Sequence, residues 1–163
     1  MKYRASDALV QFVRSRAPRY VAVPDAPDTL EGIVADHKLH GLDETPVRVW
    51  DGGSEFTIWD SADNNYAFRA YHDSVHARCG YALDYQGEYL TALESDLDAR
   101  RANLNDEDRL VLFMEVVAQL EYEEKYGCFP MYQDEFMWWV LHYGMQFTID
   151  RFEFHIPRRQ DGP

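Results

Sequence analysis

Residues 106–126, DEDRLVLFMEVVAQLEYEEKY, form the longest helical pattern in the chain and decide its fold. Apolar side chains fall on almost every face of this helix, at Leu110, Val111, Leu112, Phe113, Met114, Val116, Val117, Ala118 and Leu120. A helix that is hydrophobic on all sides is buried among other elements, so this segment is predicted to lie at the centre of the protein.

A narrow polar stripe interrupts this central helix at Glu115, Gln119 and Tyr122, which share one face at helical spacing. A buried polar group needs a hydrogen-bonding partner or a metal ion. These residues are therefore candidates for a fourth metal ligand or for groups that support one. The alternative is that the stripe faces water and needs no partner.

The rest of the chain is predicted to be mainly α-helical. Ser6 is placed to cap a first helix that Pro18 ends. Asp28 and Glu31 have capping-box spacing at the start of a second helix, which Gly41 is predicted to stop. Further helices are predicted over residues 64–80, 87–102 and 133–147.

The clear β signal lies at residues 47–59, where VRVW and EFTIW alternate around DGGS, so a hairpin is predicted there. Residues 21–27, VAVPDAP, are interpreted as a proline-containing connector, and 150–157, DRFEFHIP, as a short strand. The predicted class is mainly α (α+β). We expect a single-domain helical bundle over residues 1–163, with a small β-hairpin near residues 47–59.

Composition and charge narrow the functional classes. The net charge is −13, and a field of that sign repels phosphate backbones, so direct nucleic-acid binding is not expected. An acidic surface can instead attract a basic partner. The longest uncharged run, Phe136–Ile149, is too short to span a bilayer, so no membrane association is expected. Cys79 and Cys128 do not make a disulfide framework, which favours a cytoplasmic location.

The stretch HDSVH at residues 72–76 places His72 and His76 four residues apart, the spacing of two zinc ligands on one helix. On a helical wheel His72 lies inside the apolar stripe and His76 at its edge, while Asp73 lies beyond, toward a cleft or solvent. A third ligand must come from elsewhere, and Glu88 and Glu94 are the nearest candidates. The alternative interpretation is a hydrogen-bonded or surface histidine pair without a metal.

A divalent metal held here with one open position would activate water, and Asp73 would be the general base. Zinc is the first expectation. Asp73 is one methylene shorter than the Glu of HExxH peptidases, which argues against assigning a peptidase. Carboxylates from the downstream helices make an iron or manganese site the alternative.

The pair His72–Asp73 also resembles the HD of HD-domain phosphohydrolases, with His37 or His40 as an upstream ligand. That fold is all-helical through this region, whereas a hairpin is predicted here between His40 and His72. The predicted hairpin therefore argues against the resemblance to HD-domain phosphohydrolases.

A second resemblance rests on three segments: NNYAFRAYHDSVH at 64–76, GE at Gly87–Glu88, and EKYGCFPMYQDEF at 124–136. Together they resemble an uncharacterised group of small proteins from tailed bacteriophages and prophages, with an FRAxHDxxH core and a downstream GE, over about residues 55–136. The resemblance implies one constellation of Arg69, His72, Asp73, His76 and Glu88, and so favours Glu88 over Glu94. It also implies a phage protein acting in the bacterial host cytoplasm.

Two hypotheses follow from the sequence. The first is a metal-binding protein, with a hydrolase as the favoured activity, in which His72, His76 and Glu88 are ligands and Asp73 and Arg69 are catalytic. Arg69 would orient a carboxylate or bind an anionic substrate. The second is a non-enzymatic acidic accessory protein that binds and inhibits a host protein. Aromatic residues such as Trp138 and Trp139 are predicted in the core, with a homodimer interface as the alternative.

Overall fold

A computed structural model describes residues 1–152 of the chain, and residues 153–163 lie outside this description. Over the described residues the elements follow in the order α1 (Asp7–Arg16), β1 (Tyr20–Val23), α2 (Leu30–Asp43), β2 (Val47–Trp50), α3 (Ala62–Cys79), α4 (Tyr85–Arg101), α5 (Asp106–Tyr126), α6 (Gln133–Tyr143) and α7 (Met145–Arg151). The mainly α class with a small β element is confirmed. The strand predicted at 150–157 falls mostly outside the described residues, and its first two residues belong to α7.

The β element is not the predicted hairpin, and that prediction is wrong. The strand β2 pairs in parallel with β1, with Tyr20 opposite Val47 and Val23 opposite Trp50. Parallel neighbours need a crossover connection, and α2 provides it. The segment interpreted as a connector thus contains β1, while residues 55–59, the predicted second arm, form no strand.

Two helix ends also differ from their predicted positions. Thr29, not Asp28, caps α2, because its side chain accepts a hydrogen bond from Gly32 N, and the helix continues past Gly41. The segment predicted as one helix over 133–147 is two helices. Gly144 separates them with φ 85° and ψ 154°, a backbone conformation that only glycine adopts readily.

The helix α5 lies at the centre of the protein, as predicted. Val111 and Leu112 belong to a core cluster shared with α1 and α3, whereas Ala118 and Tyr122 belong to a second cluster shared with α6 and α7. The outer residue Leu110 is 46% exposed, so the apolar surface of α5 is not covered all round.

The N-terminal segment is tied to distant parts of the chain. Tyr3 N donates to the carbonyl oxygen of Asp134 and Ala5 N donates to that of Ile58, both at 2.9 Å. Ser6 caps α1 as predicted, and its hydroxyl also donates to the buried carboxylate of Asp108 at 2.6 Å. These bonds fix α1 against the central helix.

Among residues 1–152, no helix is both long and apolar enough to cross a lipid bilayer.

Candidate metal centre

The two histidines of HDSVH lie on one face of α3 and point at the same place. Their Nε2 atoms are 3.1 Å apart. The side chain of His76 is fully buried and that of His72 is 18% exposed. The i, i+4 spacing therefore brings the imidazoles together as the sequence predicted.

Glu88, in the first turn of α4, completes the cluster. Its Oε2 lies 3.0 Å from His72 Nε2 and its Oε1 lies 3.3 Å from His76 Nε2. Glu94, the other candidate, points elsewhere and pairs with Arg101 at 3.3 Å. The group that could hold a metal is therefore His72, His76 and Glu88.

Gly87 explains how α4 comes close enough to place Glu88. The residue is buried, and a Cβ atom built on it would lie 1.9 Å from the carbonyl oxygen of Ala82. Only glycine allows this approach between the start of α4 and the backbone that precedes it. The helix begins at the Asp84 cap, whose carboxylate accepts from Gly87 N at 2.8 Å.

The hydrogen bonds of His76 fix which ring nitrogen carries the proton. Its Nδ1 lies 2.9 Å from the carbonyl oxygen of Tyr81, and a carbonyl can only accept, so Nδ1 carries the hydrogen. In the neutral ring, Nε2 then presents a lone pair to the Glu88 carboxylate. A lone pair facing a carboxylate oxygen is unfavourable unless a proton or a metal cation lies between them.

The distances within the cluster suit a metal site as well as a set of hydrogen bonds. A tetrahedral zinc ion with bonds of about 2.0–2.1 Å holds neighbouring ligand atoms roughly 3.3 Å apart. The two Nε2 atoms are 3.1 Å apart, and they lie 3.0 and 3.3 Å from the two different oxygens of Glu88. The bond from His76 to a backbone carbonyl is also the usual support of a metal-binding imidazole.

Electrostatics in the cluster favour the ionised carboxylate. Burial raises the pKa of Glu88, but the imidazoles of His72 and His76, when protonated, donate to its carboxylate and hold that pKa well below its usual range. Burial lowers the pKa of His72, and the partner Glu88 more than reverses this effect, so the pKa is raised. Among residues 1–152, Nδ1 of His72 is buried and has no hydrogen-bond partner.

Asp73 lies apart from the three ligand atoms. Within the described part of the chain, its carboxylate makes no hydrogen bond to either imidazole and does not line the cavity described below. Burial raises its pKa, and the nearby charges of His72, His76 and His37 oppose that change. Its predicted role as general base stays a prediction.

Arg69 holds the loop that follows β2. Its Nη1 donates to the carbonyl oxygen of Gly52 at 2.7 Å and also to that of Trp50, while the guanidinium lies over the Trp50 ring. Burial lowers the pKa of Arg69. Its predicted catalytic role is not tested by this arrangement, but its hydrogen bonds are made to backbone.

A cavity of about 890 Å³ opens beside the cluster, and His72, Glu88 and Arg69 are among its lining residues. Its other wall is α5, which contributes Glu115, Gln119, Glu123 and Glu124. Glu115 and Gln119 of the predicted polar stripe therefore face this cavity rather than the outer surface. Glu115 is 3% exposed and Gln119 is 8% exposed, and both line this cavity.

Glu115 is the buried carboxyl group of this wall. Burial raises its pKa to about 8, an increase that Trp59, Gln119 and the charge of Arg69 oppose. Its Oε2 is buried without a hydrogen bond among the described residues, and the nearby Trp59 ring nitrogen completes none to it. Tyr122, the third predicted member of the stripe, instead packs in the second core and donates to the Phe152 carbonyl oxygen at 3.1 Å.

Several residues of the site were not singled out from the sequence. They include the Tyr81 carbonyl that supports His76, the glycine role of Gly87, and Asn65, Glu123 and Glu124 on the cavity wall. Glu115, Gln119 and Glu123 are spaced four residues apart, which places them on one face of α5. This spacing could have predicted that Glu123 lines the cavity beside Glu115 and Gln119.

Comparisons with family models, with curated proteins and with solved structures give no match for this chain. The resemblance to tailed-phage proteins therefore stays a prediction, as does the cytoplasmic location in a bacterial host.

Proposed function

We propose that the protein binds one divalent metal ion through His72, His76 and Glu88 and uses it as a metal-dependent hydrolase. The observation that carries this proposal is that the Nε2 atoms of His72 and His76 lie 3.1 Å apart and that each lies within 3.3 Å of one of the two carboxylate oxygens of Glu88. Zinc is the first choice, because two imidazoles and one carboxylate form the ligand set of many catalytic zinc sites.

Three protein ligands support a catalytic rather than a structural site. Structural zinc is closed by four protein ligands, whereas catalytic zinc keeps one position for water or substrate. His72 and Glu88 both line the cavity, while His76 is fully buried behind them. A small molecule in the cavity would therefore meet the metal from the side of His72 and Glu88.

The chemistry of such a site is water activation. A bound metal lowers the pKa of its water and polarises a carbonyl or phosphoryl oxygen. In this chain His76 would hold the metal in a fixed orientation through its bond to Tyr81. Asp73 remains the proton acceptor predicted from the sequence.

The identity of the metal decides the reaction class. The same set of two histidines and one carboxylate holds Fe(II) in oxygenases, and manganese binds comparable sites. Metal analysis therefore tests both the existence of the site and the assignment of hydrolysis.

The test is elemental analysis of the purified protein, expressed separately with added zinc, iron or manganese. We expect about one equivalent of one metal in the natural sequence and almost none in the double variant His72→Ala, His76→Ala. Circular dichroism checks that the variant folds. The matched control is His142→Ala, because His142 is an exposed histidine on α6, outside the cluster.

A folded natural protein without metal under all three conditions would refute the proposal. The second hypothesis, an acidic accessory protein that binds a host protein, would then take its place. Equal metal loss in His142→Ala would likewise refute the assignment of the ligands.

A further inference from the structure

We propose that the cavity beside the metal cluster selects small molecules that carry a positively charged ammonium, amidinium or guanidinium group over neutral molecules of the same shape. This inference rests on the proposed function in one respect, because such a molecule would be the substrate presented to the metal.

The charge of the lining residues supports this selection. Among the described lining residues Arg69 is the one lysine or arginine, and it donates to the backbone carbonyls of Trp50 and Gly52. The carboxylic acids in the lining are Asp84, Glu115, Glu123 and Glu124, together with Glu88, whose charge a bound metal would neutralise. A cleft lined mainly by one sign of charge concentrates molecules of the opposite sign.

Glu115 provides an independent observation that points to a ligand. Its side chain is 3% exposed, lines the cavity and leaves Oε2 without a hydrogen bond among residues 1–152. An unpaired buried carboxyl oxygen is costly, and a charged N–H donor is its strongest partner. A cationic ligand would supply that donor, and its charge would favour the ionised form of the Glu115 carboxyl group, whose pKa is otherwise raised by burial.

Aromatic side chains make the cavity suitable for an organic cation rather than a metal ion alone. Phe68, Tyr85 and Phe129 are in the lining, and Tyr85 and Phe129 are 44% and 45% exposed. Aromatic faces attract organic cations through the ring quadrupole. The cavity volume of about 890 Å³ lies within the range of small-molecule sites.

The arrangement of the walls suggests how such a molecule would lie. Glu115 and Gln119 are on α5, whereas His72 and Glu88 belong to α3 and α4. A cationic group bound at Glu115 would leave the rest of the molecule free to extend toward His72 and Glu88. The cationic group would therefore provide binding and position, and the metal side would provide the reaction.

The test uses two probes of nearly equal shape: benzamidine, which is positive, and benzamide, which is neutral. Isothermal titration calorimetry measures their affinities for the metal-loaded protein at low ionic strength. We expect benzamidine to bind about tenfold tighter than benzamide.

Variants locate the binding. Glu115→Gln keeps the size of the side chain, and we expect it to reduce benzamidine affinity to about that of benzamide. Glu124→Gln is an exposed change that does not endanger folding, and we expect a loss of about threefold. The matched control is Glu31→Gln, an exposed acid on α2 outside the cavity, which should leave the affinity unchanged.

Equal or tighter binding of benzamide would overturn the inference, and so would an equal loss of affinity in Glu31→Gln. Metal content is measured in the same samples. A protein that holds metal but does not prefer benzamidine refutes the selection and leaves the proposed function standing. A protein that prefers benzamidine but holds no metal refutes the proposed function alone.

Discussion

Glu88 and Glu115 lie on two walls of one cavity, on α4 and α5, and their carboxyl groups have opposite pKa shifts. Burial raises the pKa of both groups. Glu88 has two imidazoles within 3.3 Å, which reverse the effect, whereas burial raises the pKa of Glu115 to about 8 and its weaker neighbours do not reverse it. Partners from the adjacent helix, together with the deeper burial of Glu115, thus decide the charge of each wall.

The difference separates the roles of the two walls. The α4 wall keeps an ionised carboxylate that can bind a metal with the two histidines. The α5 wall holds an incompletely bonded carboxyl group that is close to neutral at pH 7. A substitution in one wall can therefore be tested while the other wall stays as in the natural protein.

The largest effect is expected from Glu88→Gln, which keeps the side-chain size and removes the charge of the α4 wall. We expect metal affinity to fall on the order of a thousandfold, because one of three ligands loses its anionic oxygen. Competition with a chromophoric chelator measures the change. The matched control is Glu94→Gln on the same helix, whose carboxylate pairs with Arg101. Equal losses in both variants would contradict the assignment of Glu88.

The next effect is a change in the pH dependence of stability in Glu115→Gln. Since the folded pKa is about 8 and the ordinary value is 4.5, the native state of the natural protein binds more protons than the unfolded state between these values. The free energy of unfolding therefore falls as pH rises through this range. Glutamine does not titrate, so the variant does not lose stability in this way. We expect the free energy of unfolding of the variant, relative to that of the natural protein, to rise by about 3 kcal/mol between pH 5 and pH 8.

Urea unfolding of both metal-free proteins at pH 5, 6.5 and 8 measures this difference. Using metal-free protein keeps the α4 wall the same in both samples. A constant difference across the three pH values would show that Glu115 titrates in its ordinary range.

The smallest of the three effects is expected from Gly87→Ala. The new Cβ would lie 1.9 Å from the carbonyl oxygen of Ala82, so the first turn of α4 must move and carry Glu88 with it. We expect a loss of about 2 kcal/mol in stability and about tenfold in metal affinity.

Gly41→Ala provides the control for Gly87→Ala. Gly41 lies in α2, and a Cβ there would meet no atom within 4 Å, so we expect alanine to stabilise that helix by up to about 1 kcal/mol. Metal affinity should not change. If Gly87→Ala binds metal as the natural protein does, the close approach of α4 does not position Glu88.

The helices and the histidine pair could be predicted because each depends on local spacing. The apolar surface of α5 placed it at the centre, and the four-residue interval placed His72 and His76 on one face. The choice of Glu88 over Glu94 could not be made from helical spacing alone. It depends on how α4 packs on α3, and so on the contact between Gly87 and Ala82.

The hairpin was wrong for a related reason. Alternation in VRVW correctly marked a strand, with Val47 and Val49 buried, but alternation does not identify the partner of a strand. The partner is Tyr20–Val23, which precedes α2 in the chain. Residues 55–59 alternate as well, yet the Ile58 carbonyl is bonded to Ala5 in the N-terminal segment.

That N-terminal segment has a consequence for the order of folding. The bonds of Tyr3 and Ser6 reach Asp134 and Asp108, so these contacts form only after residues much later in the chain have been synthesised. At about 5–20 residues per second, the partner of Tyr3 leaves the ribosome roughly 7–26 s later. Closing so long a loop costs entropy before any contact forms. The anchoring of α1 is therefore a late event in synthesis, after α3 and α4, which carry His72, His76 and Glu88, have emerged.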